Sequence, residues 1–172
     1  MRHERDSQVA LSLRTSSPAR TMAVGAAIAA VLEKGDVVLL IGSLGAGKTT
    51  LVKGLARALG VTEEVTSPTF TLCQSYEGRL RLSHADLWRL ETLQEVVDLA
   101  LDEDLDSGGV LVVEWGEGAD ELFGGEALVA EIEIPPAAET DRIISFSAQG
   151  ARSADRLAEL AGRAELAERA ER

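Results

Sequence analysis

Val37-Val38-Leu39-Leu40-Ile41 runs directly into Gly42-Ser43-Leu44-Gly45-Ala46-Gly47-Lys48-Thr49, and Thr50 and Leu51 follow. The five apolar residues, three of them β-branched, predict a strand buried on both faces. The next eight match G-x-x-x-x-G-K-[ST] in full. A helix is expected from about Lys48 to Leu59, stopped by Gly60. Each part has a physical task. The glycines let the backbone curl so that successive N–H groups point inward at phosphate oxygens. The helix N-terminus adds its positive dipole end at the same place. Lys48 brings a full charge to the β and γ phosphates, and the Thr49 hydroxyl is offered to Mg²⁺, with Thr50 beside it. The chain contains no Asn, so the Asn-Lys-x-Asp reader of guanine is absent, and ATP is the nucleotide expected. The bland alternative is a glycine-rich strand-to-helix turn without a ligand.

Working outward, Val9–Leu13 alternates apolar and polar residues and reads as a strand. Ser16 and Ser17 before Pro18 give a helix start, with the helix running through Ala19 to about Glu33 and Gly35 stopping it. Beyond the loop helix, Thr69–Ser75 and Leu80–His84 read as a hairpin around Glu77 and Gly78. Leu93, Val96, Val97 and Ala100 have helical spacing. Gly108 and Gly109 break the chain before a second buried strand, Val110–Val113. Ala127–Ile134 and Ile143–Phe146 are late strands separated by Pro135 and Pro136. Strands alternating with helices predict an α/β fold with a largely parallel central sheet flanked by helices. We divide the chain into a nucleotide-binding domain, residues 1–150, and a charged segment rich in Ala, Glu and Arg, residues 151–172. That segment carries five acids and five bases, with Leu157, Leu160 and Ala164 on one face. It reads as a peripheral helix or a frayed tail.

A phosphate loop needs carboxylates near the metal and the attacking water. The strand Val110–Val113 ends in Glu114, which can hold the metal through water, or orient or deprotonate a water. The alternative is a strand-end glutamate facing solvent. Asp86 follows the strand that ends at His84, and neither residue is decisive alone. Ser67-Pro68-Thr69-Phe70 lies where many phosphate-loop proteins keep a nucleotide-sensing segment, so the hydroxyls of Ser67, Thr69 and Thr71 are candidates to reach the γ-phosphate or metal. A proline turn feeding a strand is the alternative.

The chain has 172 residues, 45% apolar, enough for one domain with a real core. Its net charge is −12. From Glu91 to Asp141 there are sixteen acids and no Lys or Arg. Such a surface repels nucleic-acid phosphates, so contact with RNA would have to come mainly through a partner; a solvated acidic face is the plainer reading. The single cysteine, Cys73, cannot form an internal disulfide, and only His3 and His84 are available as a base for it. A plain thiol is expected rather than a nucleophile. Met1–Gln8 mixes charges of both signs without a following apolar stretch, and no apolar run is long enough to span a membrane, so a cytoplasmic protein is expected.

Taken in order, GSLGAGKTT, SPTFTL, a tyrosine, HADLWRL and VVEWGE resemble the bacterial TsaE family, also called YjeE, over about Val9 to Phe146. The resemblance implies a compact P-loop NTPase fold, slow ATP hydrolysis and a part in making threonylcarbamoyladenosine in tRNA. It implies two partners: TsaD, which transfers the threonylcarbamoyl group, and its paralogue TsaB. It puts Lys48 and Thr49 on the phosphate and Mg²⁺ positions, Asp86 on an aspartate tied to metal or water, and Glu114 on an essential active-site glutamate. Trp115 falls on a tryptophan next to the nucleotide, and Thr69 and Thr71 in a switch-like segment. Trp88 replaces a more usual Tyr, and Cys73-Gln74 stands where many relatives carry an aliphatic residue and Asn. The segment from Ala151 has no counterpart in the resemblance. Two other uses of the same loop stay open on the residues alone: a small-molecule kinase, disfavoured by the lack of Arg or Lys for a lid between Glu91 and Asp141, and a nucleotide-dependent switch without hydrolysis.

Overall fold

A computed structural model describes residues 11–115 and 120–170. Val9, the sequence Met1–Gln8, His3 and the Gly-Glu end of the VVEWGE segment lie outside the described residues. The elements are β1 (Leu11–Thr15), α1 (Pro18–Val31), β2 (Val37–Gly42), α2 (Lys48–Ala58), β3 (Cys73–Tyr76), β4 (Leu82–Asp86), α3 (Leu93–Asp98), α4 (Leu101–Asp106), β5 (Val110–Glu114), β6 (Ala127–Glu133), β7 (Arg142–Gln149) and α5 (Ala151–Ala170).

One seven-stranded sheet has the order β1-β7-β6-β2-β5-β4-β3. Its four central strands, β6, β2, β5 and β4, are parallel. Antiparallel strands flank them: β7 and then β1 on one side, β3 on the other. β5 is buried along its whole length, and so are the first four residues of β2, as continuous apolar runs between two layers require. Side chains alternate between the faces. Val38, Leu40, Leu128 and Phe146 pack under α1, α2 and α5, while Val37, Leu39, Leu111 and Val113 pack with Val96 and Leu101 of α3 and α4. This is the P-loop NTPase arrangement expected from the sequence, with helices covering both faces of the sheet.

Local signals set most boundaries. Ser17 caps α1 by accepting from the Arg20 amide at 3.2 Å, with Pro18 in the first turn. Where α1 crosses α2 the backbones nearly touch: a Cβ on Gly54 would overlap the Met22 carbonyl. Several boundaries differ from expectation: β4 starts at Leu82 and includes Asp86, where Leu80–His84 was expected, and β7 is longer at both ends than Ile143–Phe146. The helical spacing of Leu93 to Ala100 yields two short helices, because Ala100 is left-handed at φ 51° and ends α3. And β3 begins only at Cys73, because Thr71 and Leu72 amides both donate to the Pro68 carbonyl, at 3.1 and 2.7 Å, closing a turn over residues that were expected to be extended.

The segment from Ala151 is a helix docked on the body. Leu157 and Leu160 enter the same core cluster as α1 and α2. Asp36, in the turn before β2, accepts Arg152 at 2.9 Å, Arg156 at 2.8 Å and the Glu33 amide at 2.8 Å. Glu126 accepts the Ser153 amide at 3.2 Å in the first turn of α5, where a carboxylate is favoured by the helix dipole. Among the described residues no helix is long and apolar enough to cross a membrane.

Candidate functional site

The C-terminal ends of the parallel strands carry the polar residues. β2 ends in the glycine loop, and beside it in register stand Glu114 at the end of β5 and Asp86 at the end of β4. The crevice outside the carboxyl ends of such strands is where α/β sheets bind ligands. Here a cavity of about 350 Å³ is lined by Leu44, Gly45, Gly47, Lys48, Thr49 and Thr50 from the loop and α2. Ser67, Thr69, Asp86, Trp88, Glu114 and Trp115 complete it.

The loop conformation depends on its glycines in two ways. Gly47, the residue before α2, sits at φ 107°, which side chains with a Cβ rarely adopt. Gly42 needs its bare Cα for space, since a Cβ would come within 2.7 Å of the Ile132 carbonyl on β6. Ala46 is buried under the loop and Ser43 is exposed. Gly42, Ser43 and Ala46, expected to bind nucleotide, do not line the cavity; the Gly42 and Ser43 carbonyls accept Lys48 Nζ at 2.7 and 3.0 Å.

Lys48 is 5% exposed. Burial pushes its ammonium below the ordinary lysine range, and the nearby Glu114 and Asp86 carboxylates pull the other way. Its Nζ lies 3.7 Å from the centre of the Trp115 ring, a cation–π contact. Trp115 holds the left-handed conformation at φ 61° and packs against Trp88, with ring centres 4.6 Å apart and planes tilted by 41°. A bulky residue in that region is strained, and the strain lies immediately after Glu114.

Glu114 and Asp86 are each 3% exposed, which excludes the solvent-facing alternative for Glu114. Glu114 Oε1 accepts the Thr49 hydroxyl at 2.8 Å and meets His84 Nε2 at 2.8 Å. An ionised carboxylate only accepts, so the imidazole nitrogen is the donor there. His84 is fully buried, and its Nδ1 has no hydrogen-bond partner among the described residues. Asp86 accepts the Thr69 hydroxyl at 2.8 Å on one oxygen and the Trp88 amide at 2.9 Å on the other. Ser67 and Thr69 hydroxyls are 2.7 Å apart. Of the three hydroxyls in the expected sensing segment, Ser67 and Thr69 join the cavity. Thr71 does not: the turn that delays β3 ties its hydroxyl to the Pro68 carbonyl at 3.4 Å.

Cys73 is half-buried and lies outside the cavity. Burial, with Asp104 nearby, pushes its thiol up to about 11, so the nucleophilic thiolate is scarce at neutral pH. Among the described residues no group of three or more His, Cys, Asp or Glu side chains is arranged to hold a metal by itself.

One residue of the site escaped the sequence reading. Arg142, the first residue of β7, donates Nε to the Ala46 carbonyl at 2.7 Å and Nη2 to the Gly45 carbonyl at 3.3 Å. Ninety-six residues separate Arg142 from Ala46, so no local spacing could have joined them.

Comparison with known proteins gives a consistent result. The family described as "Threonylcarbamoyl adenosine biosynthesis protein TsaE" matches residues 15–144. The tRNA threonylcarbamoyladenosine biosynthesis protein TsaE of Bacillus subtilis is 44% identical over 143 residues, covering 83% of this chain and 88% of that one. Its namesake in Treponema pallidum is 52% identical over 93 residues, covering 54% of this chain and 69% of the relative. The crystal structure of Bacillus YdiB superposes with a TM-score of 0.75 at 36% identity, covering 89% of this chain and 95% of YdiB.

Proposed function

Because this chain belongs to the TsaE family of threonylcarbamoyl adenosine biosynthesis proteins, we propose that it binds Mg·ATP at the glycine loop, hydrolyses it slowly, and with TsaD and TsaB partners serves the threonylcarbamoyladenosine modification of cytoplasmic tRNA. The observation that carries the reading is the convergence of a buried lysine and two buried carboxylates on one cavity beside the glycine loop. A cation with carboxylates and hydroxyls at one end of a 350 Å³ space suits a nucleotide's phosphates and little else.

The parts divide the work as follows. The loop amides and Lys48 hold the phosphates. Lys48 now rests on the Gly42 and Ser43 carbonyls, and an ammonium that burial has made less favourable gains from a polyanion. Thr49, Asp86 and Glu114 would hold Mg²⁺ together with phosphate oxygens. The donors are all hard oxygens and few in number, which fits Mg²⁺, an ion that keeps several waters and leans on its nucleotide rather than on an all-protein cage. When bound, the metal would neutralise charge on the transferring phosphoryl group. By donating its proton to Glu114, Thr49 leaves its oxygen lone pairs free to bind a cation. Glu114 is fixed by Thr49 and His84 through Oε1, which leaves Oε2 to orient or deprotonate the attacking water.

Partner dependence is supported by the rim of the cavity. Leu44 is 84% exposed, Phe70 83% and Trp88 56%, all from segments beside the site. Large apolar side chains gathered at a site's mouth mark a surface that another protein covers. The acidic run from Glu91 to Asp141 favours tRNA contact through that partner rather than directly.

The test is to remove the protein from its cell and assay tRNA for threonylcarbamoyladenosine. We expect the modification to vanish, to return with the wild-type chain, and to stay absent with Lys48→Ala. Unchanged modification in the depleted cell would sink the assignment.

A further inference from the structure

We infer that Arg142 is a positioning residue of the phosphate loop, fixing the direction of the Gly47 amide from behind. This deepens the nucleotide-binding reading above and rests on it.

All peptide bonds described are trans, and in a trans peptide the C=O and N–H point to opposite sides. The Ala46 carbonyl accepts Arg142 Nε at 2.7 Å. The N–H of the same peptide belongs to Gly47, a cavity-lining residue, so pulling the carbonyl outward aims this donor away from Arg142. The preceding peptide is held at both ends: the Gly45 carbonyl accepts Arg142 Nη2 at 3.3 Å, and the Ala46 amide donates to the Ser43 carbonyl at 3.0 Å.

The loop needs such a restraint because its sequence supplies little. The 46–47 peptide turns about ψ of Ala46 and φ of Gly47, and Gly47, at φ 107°, has no Cβ to restrain that rotation. A flipped 46–47 peptide would present a carbonyl to the phosphates in place of an amide. Arg142 resists the flip because it is itself immobilised. Its Nη1 donates to the Glu139 and Asp141 carbonyls at 2.6 and 2.7 Å, and its backbone pairs with Thr15 of β1. A planar guanidinium that bridges four carbonyls in fixed directions has no lysine equivalent. With four of its five N–H groups used in this way, Arg142 is not itself a phosphate ligand. It acts through the backbone it holds.

The experiment compares wild type, Arg142→Ala and Arg142→Lys by calorimetric titration with Mg·ATP and Mg·ADP, alongside thermal melting. Loss of a charge-assisted hydrogen bond that orders a binding amide should weaken both nucleotides about tenfold or more in Arg142→Ala. Arg142→Lys should bind well below wild type at a near-wild-type melting temperature. Methylguanidinium at tens of millimolar should restore binding to Arg142→Ala and not to Lys48→Ala. Binding of Arg142→Ala within twofold of wild type would overturn the inference, leaving Arg142 as a staple between strand and loop. A loss that methylguanidinium does not relieve would overturn it too. If Arg142→Ala does not fold, Arg142→Lys decides: wild-type affinity there refutes the role. Failure of the wild type itself to bind would remove the nucleotide reading, a result distinct from a normal wild type with unaffected variants.

Discussion

Replacing Glu114 separates what its carboxylate does for the fold from what it does for chemistry. In Glu114→Ala, His84 Nε2 loses its acceptor at 2.8 Å, Nδ1 has no partner among the described residues, and the ring is fully buried. An orphaned buried donor costs about 1–3 kcal/mol. For a domain of this size each kcal/mol lowers the melting temperature by about 2–4 °C, so Glu114→Ala should melt roughly 2–12 °C below wild type. Glu114→Gln keeps an oxygen to accept from His84 and Thr49, and should melt within about 2 °C of wild type by the same scaling. Both variants lose the carboxylate that handles water, so both should release phosphate about 100-fold or more slowly. Both should still bind Mg·ATP, though less tightly, since one metal-holding group is lost while the loop amides and Lys48 are untouched. The assays are thermal melting, Mg·ATP titration and phosphate release with partners present. Glu114→Gln hydrolysing at the wild-type rate would refute the role given to the carboxylate. Equal melting of the Ala and Gln variants would refute the argument from His84.

Three further outcomes follow from the packing and the thiol. Leu160→Ala, at a fully buried position of α5, should cost about 2–5 kcal/mol in urea unfolding; a loss under about 0.5 kcal/mol, the size of an ordinary surface change, would mean that α5 adds nothing to the core. Gly54→Ala should destabilise by about 1–3 kcal/mol through overlap with the Met22 carbonyl, although alanine is the better helix former by about 1 kcal/mol; a stabilised variant would show that α1 and α2 do not cross so closely. Cys73 alkylation by iodoacetamide should keep rising with pH through a midpoint near 11, and a midpoint near the ordinary thiol value of about 8.5 would contradict its burial. The sign for stability follows from the same shift. The fold keeps this thiol protonated where the unfolded chain releases its proton, so its contribution falls as pH rises from the ordinary thiol range toward 11.

Legibility in the sequence followed the range of the interactions. The glycine loop, β2 and α2 are contiguous and could be read from residues 37–60, since apolar run, glycine conformation and helix start are local effects. Glu114 was readable as a strand-end acid and Asp86 only as an acid following a strand, and their burial and register beside β2 depend on strand order, which the chain does not display locally. The antiparallel placement of β7 and β1 beside the parallel core is of the same kind. Thr71 lies outside the cavity because a proline turn, closed by two amides on the Pro68 carbonyl, stands in place of the expected strand. The docking of α5 rests on Asp36, more than a hundred residues away from Arg152 and Arg156, and composition alone left that helix between ordered and frayed. Arg142 had no signal of its own: a single arginine at the start of a late strand looks like any surface residue until the loop is folded against it.

Calorimetry with Mg·ATP probes the step on which the other roles depend, phosphates held by the Gly42–Thr49 loop. The wild-type chain should bind with a saturable heat at one site, and Lys48→Ala, folded to the same melting temperature or higher, should give none in the same range. A folded wild type that shows no saturation at millimolar Mg·ATP, or a Lys48→Ala variant that binds as well as wild type, would contradict the claim.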